Sequence, residues 1–363
     1  MKIRDGLKND SQGKNLVFTQ HKVPVFQNKI YASEELAKKS AFADVRLVQS
    51  SVSGFVYNEL FDESVMNYDE QYHNEQSNSA FFKDHQKKVL ETLKGLGLKN
   101  KKIVEIGCGK GHFFDMMQSE GFNCFGFDPT YEGNNPAIIK DYFSEKYNIE
   151  ADVIILRHTL EHISNPHEFL LTIANANKLR GEIFIEVPTF DWIIEKNAFW
   201  DIFYEHCNYF TEQTLGSMFE NAKTGSFFNG QYIYCVAQLK DIRKVIPQQK
   251  IASAGFVSFG NKVDEWRSFL EKNKDIFIWG AGAKGSTFLN LLDPQKKYVK
   301  GVIDINPSKQ NKFIAVSGHP IFSPAVLKGV SCNNMIIMNE NYLDEIKRAL
   351  HEAGLDKIKV VCL

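Results

Sequence analysis

The 363-residue chain has no surplus of charge of either sign, with 43 Lys and Arg against 44 Asp and Glu. That balance offers no electrostatic footprint for nucleic acid or for an anionic membrane surface. Long apolar runs are missing as well. None approaches the roughly 20 residues of a membrane span, and the opening Met1-Lys2-Ile3-Arg4-Asp5 lacks the apolar centre of a secretory signal. A cytoplasmic protein without membrane or nucleic-acid partners is expected. Cysteine is sparse and dispersed: the six residues at 108, 124, 207, 235, 332 and 362 form no C-x-x-C pair. Neither a disulfide framework nor a cysteine-ligated metal is expected, and the thiols should act as small hydrophobes.

What the chain does have is length for two or three domains and a glycine-rich turn. Residues 104–112 read V-E-I-G-C-G-K-G-H, after a β-prone run from Lys102 and before a helix-like stretch from Phe113. Gly107, Gly109 and Gly111, with Cys108 between the first two, let the backbone turn sharply and approach a ligand at the first βα turn of an α/β sheet. The next apolar run, Cys124 to Phe127, ends in Asp128-Pro129, where the carboxylate is placed to accept from ribose hydroxyls. Glu105, ahead of the first glycine, would gain nothing beside a pyrophosphate but suits a ligand with a cationic amino-acid end. The segment resembles motif I of the class I S-adenosylmethionine (SAM) methyltransferases, and SAM is the cofactor this implies.

The first 80 or so residues are polar and turn-rich, with short β-like pieces at 44–48 and 55–57. Helical spacing runs from Phe81 to Leu96. Strands are then expected at 102–106, 123–127, 152–156, 182–187 and 231–239, with helices near 112–120, 164–177 and 211–221. A polar connector around Pro247 leads to a helix near 263–272 and a second strand, glycine loop and helix: Ile276 to Trp279, Gly280-Ala281-Gly282-Ala283-Lys284-Gly285, and Ser286 to Leu292. Asp304 follows about 20 residues on, as in a mononucleotide-binding half. Roughly 90 residues are too few for a full dinucleotide domain with its own substrate site. NAD binding, substrate nucleotide or phosphate binding, and a structural loop all stand as readings.

Three segments can carry chemistry. Arg157 and His158 follow the apolar run 153–156, at the carboxyl edge where ligands bind, while Glu161 and His162 either reach the site or start a helix. Asp141 with Tyr142 and Phe143 either meets adenine or packs in the core. The densest cluster, Trp200 to Phe210, contains Glu205-His206-Cys207-Asn208-Tyr209. A histidine beside a carboxylate makes a tunable base, able to take a proton from a carbon acid or a hydroxyl.

With those residues in view, the chain from about residue 45 resembles the three-domain sugar C-methyltransferases that act on nucleotide-linked keto-deoxysugars. The carried motifs are 105–111, Glu205-His206 with Tyr209-Phe210, and 280–285 with Asp304. The resemblance implies an α/β protein: a degenerate N-terminal module (1–80), a class I methyltransferase Rossmann-like SAM domain (81–245) and a smaller Rossmann-like C-terminal domain (246–363). It also implies that His206, supported by Glu205, removes a proton α to a sugar ketone. Tyr68 or Tyr72 would steady the keto oxygen, Asn208 and Tyr209 would contact substrate, and Lys284 would reach a phosphate. The family's C-x-x-C-G zinc ligands are replaced by Ser50-Ser51-Val52-Ser53-Gly54, so no metal and a module held by packing are expected. Phe203 stands where some relatives have tyrosine. O-methylation of a sugar or other small-molecule hydroxyl is the alternative.

Overall fold

The structure is a computed structural model that describes residues 13–66, 79–148, 150–248 and 258–363; Tyr68 and Tyr72 lie outside them. The N-terminal module comprises strand β1 (Lys14–Pro24), β2 (Ile30–Tyr31), helix α1 (Glu34–Lys38), β3 (Phe42–Ser50) and β4 (Val56–Asn58). β1 pairs antiparallel with β3 through two register shifts. Those shifts hide it from the sequence, because a bulge breaks the two-residue alternation that marks a strand. In the Ser50-Ser51-Val52-Ser53-Gly54 segment, Ser50 Oγ accepts from the amides of Val52 and Ser53, so a hydroxyl holds the turn.

The central domain follows. Helix α2 (Ala80–Gly95) starts where the Ser79 hydroxyl accepts from Phe82 N. Then come β5 (Lys102–Ile106), α3 (His112–Ser119), β6 (Asn123–Phe127), β7 (Ile138–Ile139), β8 (Val153–Arg157), α4 (Pro166–Ala176), β9 (Glu182–Pro188), α5 (Phe190–Lys196), β10 (Asn208–Tyr209), α6 (Glu212–Gly216), β11 (Ala222–Phe227) and β12 (Tyr232–Gln238). Seven of these strands form one sheet in the order β11-β12-β9-β8-β5-β6-β7. β5 to β9 are parallel, and β12 runs antiparallel to both neighbours. β8 is buried along its whole length, as a strand covered on both faces must be. The chain leaves β5 toward one edge and returns at β8 to build the other. The crevice between their carboxyl ends is where such sheets bind ligands.

One expected helix is shorter than its pattern. The Thr211–Thr214 capping box starts α6, but the helix stops at Gly216 and the chain turns into β11. Gly225 there lies under the Tyr234 ring, leaving no room for a Cβ. Pairing with β12 overrides the local helical spacing.

The C-terminal domain consists of α7 (Ser258–Lys272), β13 (Ile276–Trp279), α8 (Ala283–Leu292), β14 (Val299–Ile303), β15 (Phe313–Ile314), β16 (Ile321–Phe322), β17 (Asn334–Ile337), α9 (Leu343–Glu352) and β18 (Lys359–Cys362). Its sheet, ordered β16-β14-β13-β17-β18, is parallel throughout.

The three parts interlock. β10, from the central stretch, completes the sheet of the N-terminal module by pairing with β4, and β15 of the C-terminal domain pairs with β2. One apolar core holds Val45 and Leu47 of β3, Trp200 and Tyr204, and Leu270, Phe288 and Ile336 of the C-terminal domain. Among the described residues, no helix is long and apolar enough to cross a membrane.

A polar tie crosses the same junction. Lys284 Nζ lies 2.5 Å from Asp201 Oδ2 and 4.7 Å from the Trp192 ring centroid. Lys284→Met should cost about 2–3 kcal/mol, between the values for exposed and fully buried pairs, because Asp201 is left desolvated and unpaired. Adding Asp201→Leu should recover most of the loss; urea unfolding of the single and double variants checks this.

Candidate active site

The cofactor side is built at the end of β5. Gly107 has φ +79°, and a Cβ there would lie 2.2 Å from Thr159 Oγ1; that hydroxyl is itself tied to the carbonyls of Ile106 and Arg157. Gly111, at φ +83°, opens α3 without a side-chain cap. Both positions demand glycine. Gly109 N donates to Asp128 Oδ2 at 2.7 Å, while Oδ1 accepts from Thr130 N and Oγ1, across Pro129. The expected ribose acid thus braces the loop it serves. Cys108 is buried beneath it. The C-terminal glycine loop repeats the brace: Asp304 accepts from Ala281 N and Asn306 N, each at 2.8 Å.

Further along the edge, Asp141 is engaged by its own loop, accepting from Lys146 Nζ, Tyr147 OH and Tyr142 N. Lys146 first, then the tyrosine hydroxyl, hold its carboxyl down at about 2. Tyr142 turns to solvent at 71% exposure, and Phe143 is buried against Phe127. Between these two residues the sequence left a choice; the fold puts one on the surface and the other in the core.

Beneath the glycine loop, Arg157 is committed inward. Its Nε donates to Glu186 Oε2 at 2.6 Å across neighbouring strands, and its guanidinium lies 4.0 Å from the Phe113 ring centroid. Glu186 also faces His85 Nε2 at 2.7 Å. Burial opposes the charge on Glu186, but Arg157 and His85 outweigh it and hold the acid ionised. Glu105 has no such partner: burial pushes its carboxyl up to about 7 against the pull of Arg157, and its Oε2 lacks a hydrogen-bond partner. Sequence reasoning missed His85 and Glu186. An acid inside the apolar run 182–187 was the readable signal.

The second half of the site joins the turn after β8 to the strap before β10. His158, at φ +50°, packs on Tyr232 with its Nδ1 3.7 Å from Glu161 Oε1. Glu161, His162 and His206 bring one donor atom each within 4.8 Å of one another. His162 Nδ1 sits 3.0 Å from the Glu205 carbonyl, so the neutral ring carries its proton there and keeps Nε2 as an acceptor. Glu161 and His162 both lie in a short 3-10 helix, Leu160–His162, and from it stand beside His206.

His206 is enclosed by Phe203 and His162, with ring centroids at 4.8 and 4.9 Å. Burial, then His162, pushes it down to about 3, against the pull of Glu161. Glu161 is 1% exposed and both its oxygens lack a hydrogen-bond partner. Burial works against its charge, yet the imidazoles around it hold the carboxyl below its ordinary range.

The carboxylate that faces His206 is therefore Glu161. Glu205 turns the other way and accepts from Gln27 N of the N-terminal module at 2.5 Å. Tyr209 OH is spent on both backbone groups of Phe203, and Asn208 Nδ2 on Ile163 O, so each pins the strap. Lys284 is held by Asp201.

Among the described residues, two clusters have the donor make-up a divalent cation accepts: His85, His158 and Glu186, and Glu161, His162 and His206. Arg157 beside Glu186 works against the first. The second would occupy the lone pairs a base needs.

A glycine loop with an acid before it, a bracing aspartate on the next strand and a histidine-rich opposite wall are the parts of a methyl-transfer site. The chain matches the methyltransferase domain family over residues 78–223 and the C-methyltransferase C-terminal domain family over 258–362. The chain thus joins a methyltransferase domain to a C-methyltransferase C-terminal domain, and is a SAM-dependent methyltransferase. C-methyltransferase NovU of Streptomyces niveus is 22% identical over 284 residues, 67% of each protein. The ubiquinone biosynthesis O-methyltransferase of Escherichia coli is 30% identical over 103 residues, 24% of this chain and 43% of that enzyme. A SAM-dependent methyltransferase from Archaeoglobus fulgidus, of known structure, aligns with 44% of the chain at 17% identity and a TM-score of 0.34.

For this methyltransferase the raised carboxyl of Glu105 has a measurable consequence. With the cationic amino-acid end of SAM set beside Glu105, as the sequence leads one to expect, the ionised carboxylate would be favoured and binding near pH 7 should expel roughly half a proton. Affinity should rise from pH 6 to 8, and Glu105→Gln should abolish both effects, as read by calorimetry in buffers of different ionisation enthalpy.

Proposed function

We propose that the enzyme transfers the SAM methyl group to a carbon of a nucleotide-linked keto-deoxysugar, with His206 as the base. The observation that supports this reading is the convergence of His162, neutral His206 and ionised Glu161 at the carboxyl edge of the SAM sheet, on a strap that all three domains clamp. SAM supplies the electrophilic methyl when bound. The chain holds it through the glycine loop, with Asp128 at the ribose and Glu105 at the amino-acid end.

His206 takes the proton α to the ketone. The imidazolium it becomes faces the Glu161 carboxylate, so the new charge is formed next to its counter-ion rather than alone in a dry site. The enolate carbon then attacks the methyl in line. Holding the two reactants together contributes most of the rate, since the sulfonium already activates the methyl. An acceptor with a nucleotide at one end also fits the layout. The N-terminal loop that meets Glu205 through Gln27 continues to Asn28, whose side-chain oxygen lies 3.8 Å from where a Gly282 Cβ would be, at the start of α8. Sugar and diphosphate could lie along that loop.

The test is mass spectrometry of a panel of nucleotide-linked 4-keto-deoxysugars incubated with labelled SAM in heavy water. The expected result is methyl gain by one of them, together with deuterium wash-in at carbon in the absence of SAM. His206→Gln should lower kcat by about 10²–10⁴. With His206 neutral down to about pH 4 in the free enzyme, kcat/KM at saturating SAM should show no histidine inflection near 6.5. Methyl transfer to none of the keto-sugars, with SAM still bound, moves the acceptor to a hydroxyl and the chemistry to O-methylation.

A further inference from the structure

Among the described residues, Glu161 is the one buried carboxylate of which both oxygens lack a hydrogen-bond partner, and it is 1% exposed. Unpartnered amides recur in this fold, but an amide is neutral. A carboxylate buried without donors costs far more, and such groups are ordinarily paired or bound to a metal ion. His158 does not meet that need, since its Nδ1 is 3.7 Å from Glu161 Oε1, beyond hydrogen-bond reach. The carboxylate lies instead among two further imidazoles: one donor atom each from Glu161, His162 and His206 falls within 4.8 Å of the others.

The frame that holds these side chains is already in place. Cys207 Sγ donates to the Glu161 carbonyl at 3.4 Å, Asn208 Nδ2 donates to the Ile163 carbonyl, and His162 Nδ1 donates to the Glu205 carbonyl at 3.0 Å. Each bond runs between the 160–163 turn and the strap, so the three side chains are kept against one another. The last bond also fixes the tautomer of His162, and metal-ligating histidines are commonly held by a bond of that kind. Both imidazoles are only half-buried, which leaves an ion a way in. The other candidate cluster is already engaged: Glu186 accepts from Arg157 and faces His85 at 2.7 Å, so a cation there would sit beside a guanidinium.

We propose that Glu161, His162 and His206 form a binding site for a transition-metal ion of the zinc class, and that the ion and the base function of His206 exclude each other. The exclusion rests on the acceptor reading above; the binding does not. Two imidazoles and one carboxylate suit Zn²⁺, Co²⁺ or Ni²⁺ and leave a coordination position open, whereas Mg²⁺ and Ca²⁺ require oxygen ligands. Bonds of about 2.0–2.2 Å draw the three donors inward onto the ion. A lone pair committed to the metal cannot take a proton, so with the ion on His206 the acceptor carbon keeps its hydrogen and no enolate forms. Zinc-class ions thus switch the enzyme off reversibly, at the reacting group itself.

The test uses the full chain, untagged and dialysed against a chelator. Calorimetric titration should find one tight Zn²⁺ site per chain and no Mg²⁺ binding, and Co²⁺ should develop the visible absorption of a site with few ligands. Glu161→Gln, His162→Gln and His206→Gln should each weaken Zn²⁺ at least about tenfold and bleach the Co²⁺ bands, while His85→Gln binds as wild type does. S-adenosylhomocysteine affinity and Tm, measured alongside, show that each variant is folded. In turnover with the methylated member of the keto-sugar panel, free Zn²⁺ set by a metal buffer should suppress methyl transfer and SAM-independent deuterium wash-in in proportion to occupancy. Chelator should restore both. Absence of Zn²⁺ binding, or binding that survives all three variants of the cluster, overturns the site, as does loss in His85→Gln alone. Zn²⁺ bound here with turnover unchanged or stimulated overturns the exclusion. A panel with no turnover at all overturns the acceptor reading and the exclusion with it, while the titrations still decide the site.

Discussion

The catalytic edge depends on one short strap, residues 199–209, that has almost no regular structure of its own. It consists of a 3-10 turn, Phe199–Asp201, and the two residues of β10. Its shape is imposed by side chains. Tyr209 closes a loop onto Phe203, Glu205 is tied to the N-terminal module, the Glu205 carbonyl meets His162, and Asp201 is held by Lys284. Phe199 stacks on Phe288 of α8 at 6.3 Å. His206 is carried by this strap, so its imidazole is aimed by contacts to all three domains. Misplacement by about 1 Å costs around two orders of magnitude in a positioned reaction, and a strap with so few backbone bonds needs every one of these clamps.

Three buried acids near the crevice show how differently one fold can treat a carboxylate. Glu186 is compensated by a guanidinium and an imidazole and serves the scaffold. Glu105 feels the pull of Arg157 but has no partner on Oε2, and burial keeps it partly protonated. Glu161 has imidazoles as its counter-groups, at His158, His162 and His206. Its charge is tolerated because protons can be shared around it, which is the environment a proton-accepting site requires.

The sheet of the central domain was legible because its signals are local. Positive φ at Gly107 and Gly111 demands glycine, and β8 reads as an unbroken apolar run. The second glycine loop was legible for the same reason. What escaped depends on partners far along the chain: β1 is masked by its bulges, and β11 forms because β12 needs a neighbour. Lys284 reads from sequence as a free cation near a phosphate site, while in the fold Asp201, remote in sequence, holds it. The Glu205-His206 pair reads as a base with its supporting acid, yet the strap bends at Tyr204 and Glu205, and in the fold Glu161 faces the imidazole while Glu205 accepts from Gln27 N.

The interleaving of strands also limits how this architecture can be recombined. Although the chain reads as three consecutive segments, β10 belongs to the sheet of the first while lying within the second, and β2 of the first pairs with β15 of the third. An exchange at either boundary in the sequence would cut a sheet rather than a linker. A chimaera that borrows a relative's N-terminal module must bring its strap and the facing surface of α8 along.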